Sequence, residues 1–159
     1  MLIMSSPEVN MSTIPKGITS ADVIVWGNGN GFAQQIVAGS HRLRGDEPES
    51  AGGSGTGPSP YDFLLSALGS CTSMTVGMYA RKKNWPLERV TIWLRHSKRY
   101  ATDCTECETR EGMLDRIDRE VRFEGPLTAE QRSRLLEIAN MCPVHRTLTS
   151  EINIRTILL

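Results

Sequence analysis

The strongest pattern in this sequence is residues 59–84, SPYDFLLSALGSCTSMTVGMYARKKN. Ser59 is a good N-cap residue, and Pro60 fits the first turn of a helix. From there, small and apolar side chains recur at spacings of four and three, at Leu64, Leu68, Cys71, Thr75 and Met78. This spacing predicts one long helix, and neighbouring apolar residues widen its face enough that we expect the helix to be largely buried. Pro86 limits the helix near Asn84.

The residues before this helix have the pattern of a hairpin followed by a loop. Val23–Trp26 and residues 32–38 are strand-like, and the turn sequence GNGNG at residues 27–31 joins them. Residues 45–60 are rich in Gly, Ser and Pro, which predicts a loop. We expect residues 1–19 to form a mobile arm and residues 20–159 to form a single domain.

The residues after the helix alternate strands with shorter helices. Apolar residues alternate with polar ones over residues 90–98 and 117–123, which predicts two strands. Thr128 and Gln131 form a capping box that starts a helix, and Cys142-Pro143 starts a short one. Residues 152–158 alternate again as a last strand. Such segregated runs of strands and helices predict an α+β fold with antiparallel sheets.

Length and charge limit the function classes. A chain of 159 residues is the size of one ordinary domain. Eighteen basic and eighteen acidic residues give zero net charge, which argues against a nucleic-acid or anionic-membrane partner. We identify no apolar run of about 18–20 residues for a membrane span. The first residues lack the pattern of a secretory leader, so we expect a cytoplasmic protein.

Two of the four cysteines lie on predicted helices. Cys71 is either a small buried apolar residue or a reactive thiol, and polar neighbours such as Thr72 favour the second interpretation. Cys142 precedes Pro143 and is therefore expected to be the N-cap, where backbone N–H groups favour a thiolate. A modest capping role and a reactive or pairing thiol both remain open for Cys142.

The other two cysteines form a C-x-x-C pair in the polar segment ATDCTECETREG. The acidic neighbours of Cys104 and Cys107 oppose thiolate chemistry, so this pair fits a zinc half-site or a facultative disulfide better. Cys142 and His145 would complete a four-ligand zinc set, although the spacing is unusually long, and we expect no bound metal. His96 continues a strand alternation and is expected to be a satisfied core or interface histidine.

Two stretches of the chain carry a family pattern: residues 57–90, GPSPYDFLLSALGSCTSMTVGMYARKKNWPLERV, and residues 142–148, CPVHRTL. They resemble the OsmC/Ohr family, the osmotically inducible protein C and organic hydroperoxide resistance proteins. The resemblance runs from about Ala21 to Leu159 and is greatest to the OsmC-like subgroup. It implies an intertwined α+β homodimer in which antiparallel sheets wrap around two long central helices.

The resemblance also implies a function. Cys71 would be the peroxidatic cysteine of an organic hydroperoxide reductase, Cys142 would be the resolving cysteine, and an external dithiol would be the reductant. No cofactor is implied. The apolar residues around Cys71 suit an apolar substrate.

The chain departs from the family at the activating residues. Family members carry an Arg in the N-terminal hairpin turn and a Glu ten residues before the peroxidatic cysteine. Here the turn has no Arg, and the second position is Tyr61. Arg42 and Arg44, with Asp62 or Glu47, are candidates to rebuild the pair.

Three functions therefore compete. The leading one is an OsmC-like thiol peroxidase that uses Cys71 and Cys142. The second is a non-catalytic dimer that binds an apolar small molecule after losing the Arg and Glu activators. The third is a zinc-stabilised domain.

Overall fold

The computed structural model describes residues 23–105, 107–109 and 111–158. The chain divides into two compact units, the first ending at Ser59 and the second beginning at Pro60. The arm predicted for residues 1–19 lies outside the described residues. A single domain over residues 20–159 stays a prediction.

The first unit is an antiparallel sheet of three strands. They are β1 (Val23–Trp26), β2 (Gln34–Ala38) and β3 (His41–Gly45), paired in that order. The predicted hairpin is confirmed, although its second strand begins at Gln34 rather than at residue 32. A single 3-10 turn, Glu49–Ala51, follows in the loop.

Asp46 organises the loop predicted after β3. Its buried carboxylate accepts hydrogen bonds from the backbone N–H groups of Glu47 at 2.8 Å, Ser54 at 3.2 Å and Thr56 at 3.0 Å, and from the Thr56 hydroxyl at 2.7 Å. The Thr56 backbone bond, followed by the Thr56 hydroxyl bond, lowers the pKa of Asp46 because both favour the charged carboxylate. Gly53 is needed in this turn, because a Cβ there would lie 1.9 Å from the Glu47 carbonyl oxygen.

The second unit packs one long helix against a hairpin and two shorter helices. Its elements are α1 (Pro60–Lys82), β4 (Arg89–Tyr100), a 3-10 turn (Ala101–Asp103), β5 (Met113–Glu124), α2 (Ala129–Ala139) and α3 (Pro143–Leu148). β4 and β5 pair antiparallel over their whole length. Because α1 contacts β4, α2 and α3, it is the centre of this unit. Both units have antiparallel sheets, which confirms the α+β class.

The buried face of α1 differs from the predicted one. The fully buried side chains recur every four residues, at Leu68, Thr72, Val76 and Ala80. Met74 and Met78, which were predicted to lie on or beside the apolar face, are 71% and 60% exposed. Cys71 is half-buried at the edge of the buried face. The expectation of a largely buried helix is therefore wrong for the single chain, because the contacts of α1 with β4, α2 and α3 leave the side that carries Met74 and Met78 exposed.

The core of the second unit lies between α1, α2 and β5. Its buried members are Val76, Ala80, Phe123, Leu135, Ile138 and Ala139. The predicted capping box of α2 is confirmed: Thr128 Oγ1 accepts from the Gln131 backbone N–H at 3.2 Å, and the Gln131 side-chain oxygen accepts from the Thr128 N–H at 2.9 Å. This cap fixes where α2 begins and so which of its residues enter the core.

The strand predicted for residues 152–158 is wrong. The described C-terminal residues, 151–158, are irregular and exposed, and Ile154 is 83% exposed. Apolar alternation predicts a strand only where a sheet edge is present to pair with it, and no ladder to this segment forms within the described part of the chain.

The helix α1 also meets the length and composition criterion of a membrane span, which the sequence analysis did not identify. Its most apolar 18-residue window has a mean hydropathy of 1.2. The core helix of a soluble protein meets the same criterion, so one such helix among the described residues is weak evidence for a span.

Candidate functional site

Two free thiols lie in the second unit. Cys71 is half-buried in the middle of α1, and Cys142 is completely buried immediately before α3. Cys142 is the N-cap of α3, as predicted: its Sγ accepts a hydrogen bond from the His145 backbone N–H at 3.3 Å, and Pro143 occupies the first turn. The sequence Cys-Pro thus fixes the orientation of the sulfur, because the cap requires it to face the helix N-terminus.

The second partner of Cys142 is Thr72, the residue that follows Cys71. The Thr72 hydroxyl lies 3.3 Å from Cys142 Sγ and donates a 2.7 Å hydrogen bond to the Leu68 carbonyl oxygen. Thr72 is completely buried, so its hydroxyl needs these partners. Consecutive Cα atoms are about 3.8 Å apart, which places Cys142 Sγ within roughly 10 Å of the Cys71 Cα.

Arg119 on β5 completes this arrangement. Its Nη1 donates to Thr72 Oγ1 at 3.0 Å and to the Ala139 carbonyl oxygen at 3.3 Å, and its Nη2 donates to Asn140 Oδ1 at 2.6 Å. Each of these acceptors is an uncharged oxygen. The ion pairs formed among the described residues do not include Arg119. The half-buried guanidinium charge is therefore solvated by dipoles rather than balanced by a carboxylate.

A cavity of about 390 Å³ borders Arg119. Its apolar lining comes from Leu68, Ile117 and Leu148, and its polar lining includes His145. Burial, and secondarily the Arg119 charge, lowers the pKa of His145, so the imidazole is neutral at neutral pH. Cys71 is not among the residues that line this cavity.

The candidate activators are distributed over both units. Arg42 and Arg44 lie on β3, and Glu47 follows β3, all in the first unit. Asp62 lies in the first turn of α1 and lines a shallow groove of about 510 Å³ between α1 and β4. Their role as activators of Cys71 stays a prediction.

Cys104 and Cys107 form a disulfide in the connection between β4 and β5, with their Cα atoms 5.4 Å apart. Of the two alternatives that the sequence leaves open for this pair, the structure has the disulfide. The described residues contain no cluster of three or more potential metal ligands.

His96 is a satisfied histidine, as predicted. Its Nε2 lies 2.8 Å from Asp115 Oδ1, and its ring stacks on Tyr61 with the ring centroids 4.0 Å apart. The hydrogen bond to Asp115 and the stacking on Tyr61 account for the position of His96, and neither contact involves Cys71 or Cys142.

Comparison with known proteins agrees with this architecture. The sequence profile described as OsmC-like protein matches residues 53–157. The chain belongs to the OsmC-like family. No curated protein sequence matches this OsmC-like chain.

Solved structures show the same fold. An OsmC-like protein from Mycoplasma pneumoniae is 19% identical, with a TM-score of 0.63 over 80% of this chain and 86% of that one. An organic hydroperoxide resistance protein from Legionella pneumophila is 20% identical, with a TM-score of 0.60 over 84% and 92% of the two chains. One from Vibrio cholerae, with captopril bound in one of its active sites, is 19% identical, with a TM-score of 0.58 over 91% and 92%. At these identities the likeness shows the fold alone.

Thr72 and Arg119 are the site residues that sequence reasoning missed. Thr72 was noted only as a polar neighbour of Cys71, and Arg119 is one of several charged residues that alternate along β5. The sequence offered one signal for Thr72: it is a polar residue in the same helical turn as Cys71, and it lies on the buried face of α1.

Proposed function

We propose that this OsmC-like protein is a cytoplasmic thiol peroxidase that reduces organic hydroperoxides with Cys71 and Cys142. The observation that supports it is the 3.3 Å contact between Cys142 Sγ and Thr72 Oγ1. It brings the second free thiol to the helix turn that carries the first. In this proposal Arg42 and Arg44, with Asp62 or Glu47, are candidate activators of Cys71.

The chemistry has two steps on the protein. The Cys71 thiolate attacks the terminal oxygen of the hydroperoxide, and the O–O bond breaks. Cys71 becomes a sulfenic acid, and the released alkoxide takes a proton to become an alcohol. The Cys142 thiolate then attacks the Cys71 sulfur and expels hydroxide, which takes a proton to become water. The resulting disulfide is reduced by two electrons and two protons from an external dithiol. The second step requires the Cα atoms of Cys71 and Cys142 to lie within about 7 Å of each other, the usual limit for a disulfide.

The test uses the Cys104→Ser/Cys107→Ser protein, in which Cys71 and Cys142 are the remaining thiols. Cumene hydroperoxide should consume both thiols and give a Cys71–Cys142 disulfide in peptide mass spectra. Cys142→Ser should instead stop at a sulfenic acid on Cys71 that dimedone traps. Cys71 and Cys142 both unmodified by the peroxide would refute the proposal.

The family resemblance adds a homodimer to the proposal. The α1 face that carries Met74 and Met78 is exposed in the single chain, and a second copy packed on it would bury that face. Light scattering should give the mass of a dimer for the native chain and of a monomer for Met78→Glu. Met113→Glu is the matched control, because Met113 is also half-exposed but lies on β5.

The 390 Å³ cavity favours a second candidate function, the non-catalytic binding of an apolar small molecule. Cys71 does not line this cavity, so such binding should survive Cys71→Ser. A ligand whose affinity falls with that substitution would instead indicate a site at the thiol.

A further inference from the structure

The cavity bordered by Arg119 has one cationic end and an apolar body. β5 places Asp115, Ile117 and Arg119 on one face, because alternate residues of a strand point the same way, and all three line the cavity. Leu68 from α1 and Leu148 from α3 line it alongside Ile117. A volume of about 390 Å³ lies within the usual range of small-molecule sites, about 300–1,000 Å³.

The guanidinium of Arg119 has donors left for a ligand. It carries five N–H groups, and its hydrogen bonds to the described residues engage Nη1 twice and Nη2 once. Nε and the second Nη2 hydrogen make no hydrogen bond to the described residues. These two donors can bind the oxygens of a carboxylate, since guanidinium groups form strong charge-assisted hydrogen bonds with carboxylates.

We propose that this cavity binds a small carboxylate with a short apolar body, its carboxylate on Arg119 and its body along Ile117, Leu68 and Leu148. The proposal sharpens the binding candidate above by naming the ligand class, and it requires none of the peroxidase chemistry.

Asp115 sets the length of the ligand. It lies four residues from Arg119 along β5, which is about 13 Å at the usual rise of a strand. Its carboxylate is already held by His96 Nε2 at 2.8 Å and lies 4.0 Å from Lys98 Nζ. An apolar chain long enough to reach Asp115 would displace water from this carboxylate and its partners, which costs free energy. We therefore expect the site to prefer the eight-carbon octanoate to the sixteen-carbon palmitate.

The probes are octanoate, 1-octanol and palmitate, measured by isothermal titration calorimetry on the full chain. Octanoate should bind at least ten-fold more tightly than 1-octanol, because charge-assisted hydrogen bonds are worth about 1.5–3 kcal/mol and about 1.4 kcal/mol is ten-fold. Arg119→Gln should weaken octanoate about ten-fold or more. Arg116→Gln is the matched control, because Arg116 is also on β5 and instead pairs with Asp118.

Each outcome decides the proposal. No octanoate binding to the native chain, equal binding of 1-octanol, or unchanged affinity in Arg119→Gln would overturn it. If Arg119→Gln does not fold, Leu148→Trp gives the second test, since an indole in the cavity should abolish octanoate binding. Octanoate binding that persists in Cys71→Ser separates this proposal from the peroxidase, which fails or succeeds on the Cys71–Cys142 disulfide.

Discussion

Replacing Cys142 with serine and, separately, with alanine distinguishes its capping role from its redox role. Cys142 Sγ accepts from the His145 N–H at 3.3 Å and lies 3.3 Å from the Thr72 hydroxyl, in a completely buried position. Alanine removes the N-cap acceptor, which costs about 0.5–2 kcal/mol, and leaves a small cavity, which adds roughly 0.5 kcal/mol. Serine keeps an acceptor in the same place.

We therefore expect Cys142→Ala to be less stable than Cys142→Ser by about 1–2 kcal/mol, or a few degrees in Tm. Urea and thermal unfolding followed by circular dichroism measure this difference. Neither variant can form the Cys71–Cys142 disulfide when it is treated with peroxide. Equal stabilities of the two variants would refute the capping argument. Full peroxidase activity with an external dithiol in Cys142→Ser would refute the resolving role of Cys142.

Three further perturbations test other parts of the chain. The pKa of His145 is lowered in the folded state, so the unfolded chain binds a proton on this residue first as the pH falls, and the free energy of unfolding decreases below about pH 6.5. His145→Gln should flatten this part of the stability profile, measured by urea unfolding at a series of pH values. The pKa of Asp46 is lowered chiefly by its hydrogen bonds to Thr56, so the charged carboxylate stabilises the fold above the usual carboxyl pKa range, and this stabilisation is lost as acid protonates the carboxylate. Asp46→Asn should lower the free energy of unfolding at neutral pH and reduce its pH dependence in the acid range. The Cys104–Cys107 ring is short, and closing so short a loop is worth at most about 2 kcal/mol, so dithiothreitol should lower Tm by only a few degrees.

The sequence predicts helix starts well because their causes are local. Pro60, the Thr128–Gln131 capping box and Cys142-Pro143 each place a helix start where the structure has it, since a cap depends on residues within one turn. Which face of α1 is buried depends instead on residues distant in the sequence. Its apolar side chains surround most of the helix, and contacts with the strands and helices packed on α1 select the side at Thr72 and Val76 as the buried one.

The candidate site shows the same division: its local features can be predicted from the sequence, and its long-range contacts cannot. Cys142 could be assigned as a cap because Pro143 follows it. Its contact with Thr72 joins residues seventy positions apart, and the bond from Arg119 to Thr72 spans forty-seven. Such contacts follow from how β5 and α3 pack on α1, and no spacing in the sequence encodes them. The sequence marks both thiols as candidates, whereas the residues that surround Cys142 are visible only in the structure.

The two functional proposals involve neighbouring groups that Thr72 connects. The Thr72 hydroxyl has one proton and donates it to the Leu68 carbonyl oxygen, so Thr72 Oγ1 is the acceptor for both Arg119 Nη1 and the Cys142 thiol. When Cys142 attacks the Cys71 sulfur in the peroxidase proposal, it gives up this proton, and its hydrogen bond to Thr72 is lost. The hydrogen bond from Arg119 to Thr72 uses no proton of Cys142, so it is unaffected by that step. We therefore expect carboxylate binding at Arg119 and formation of the Cys71–Cys142 disulfide to be independent of each other.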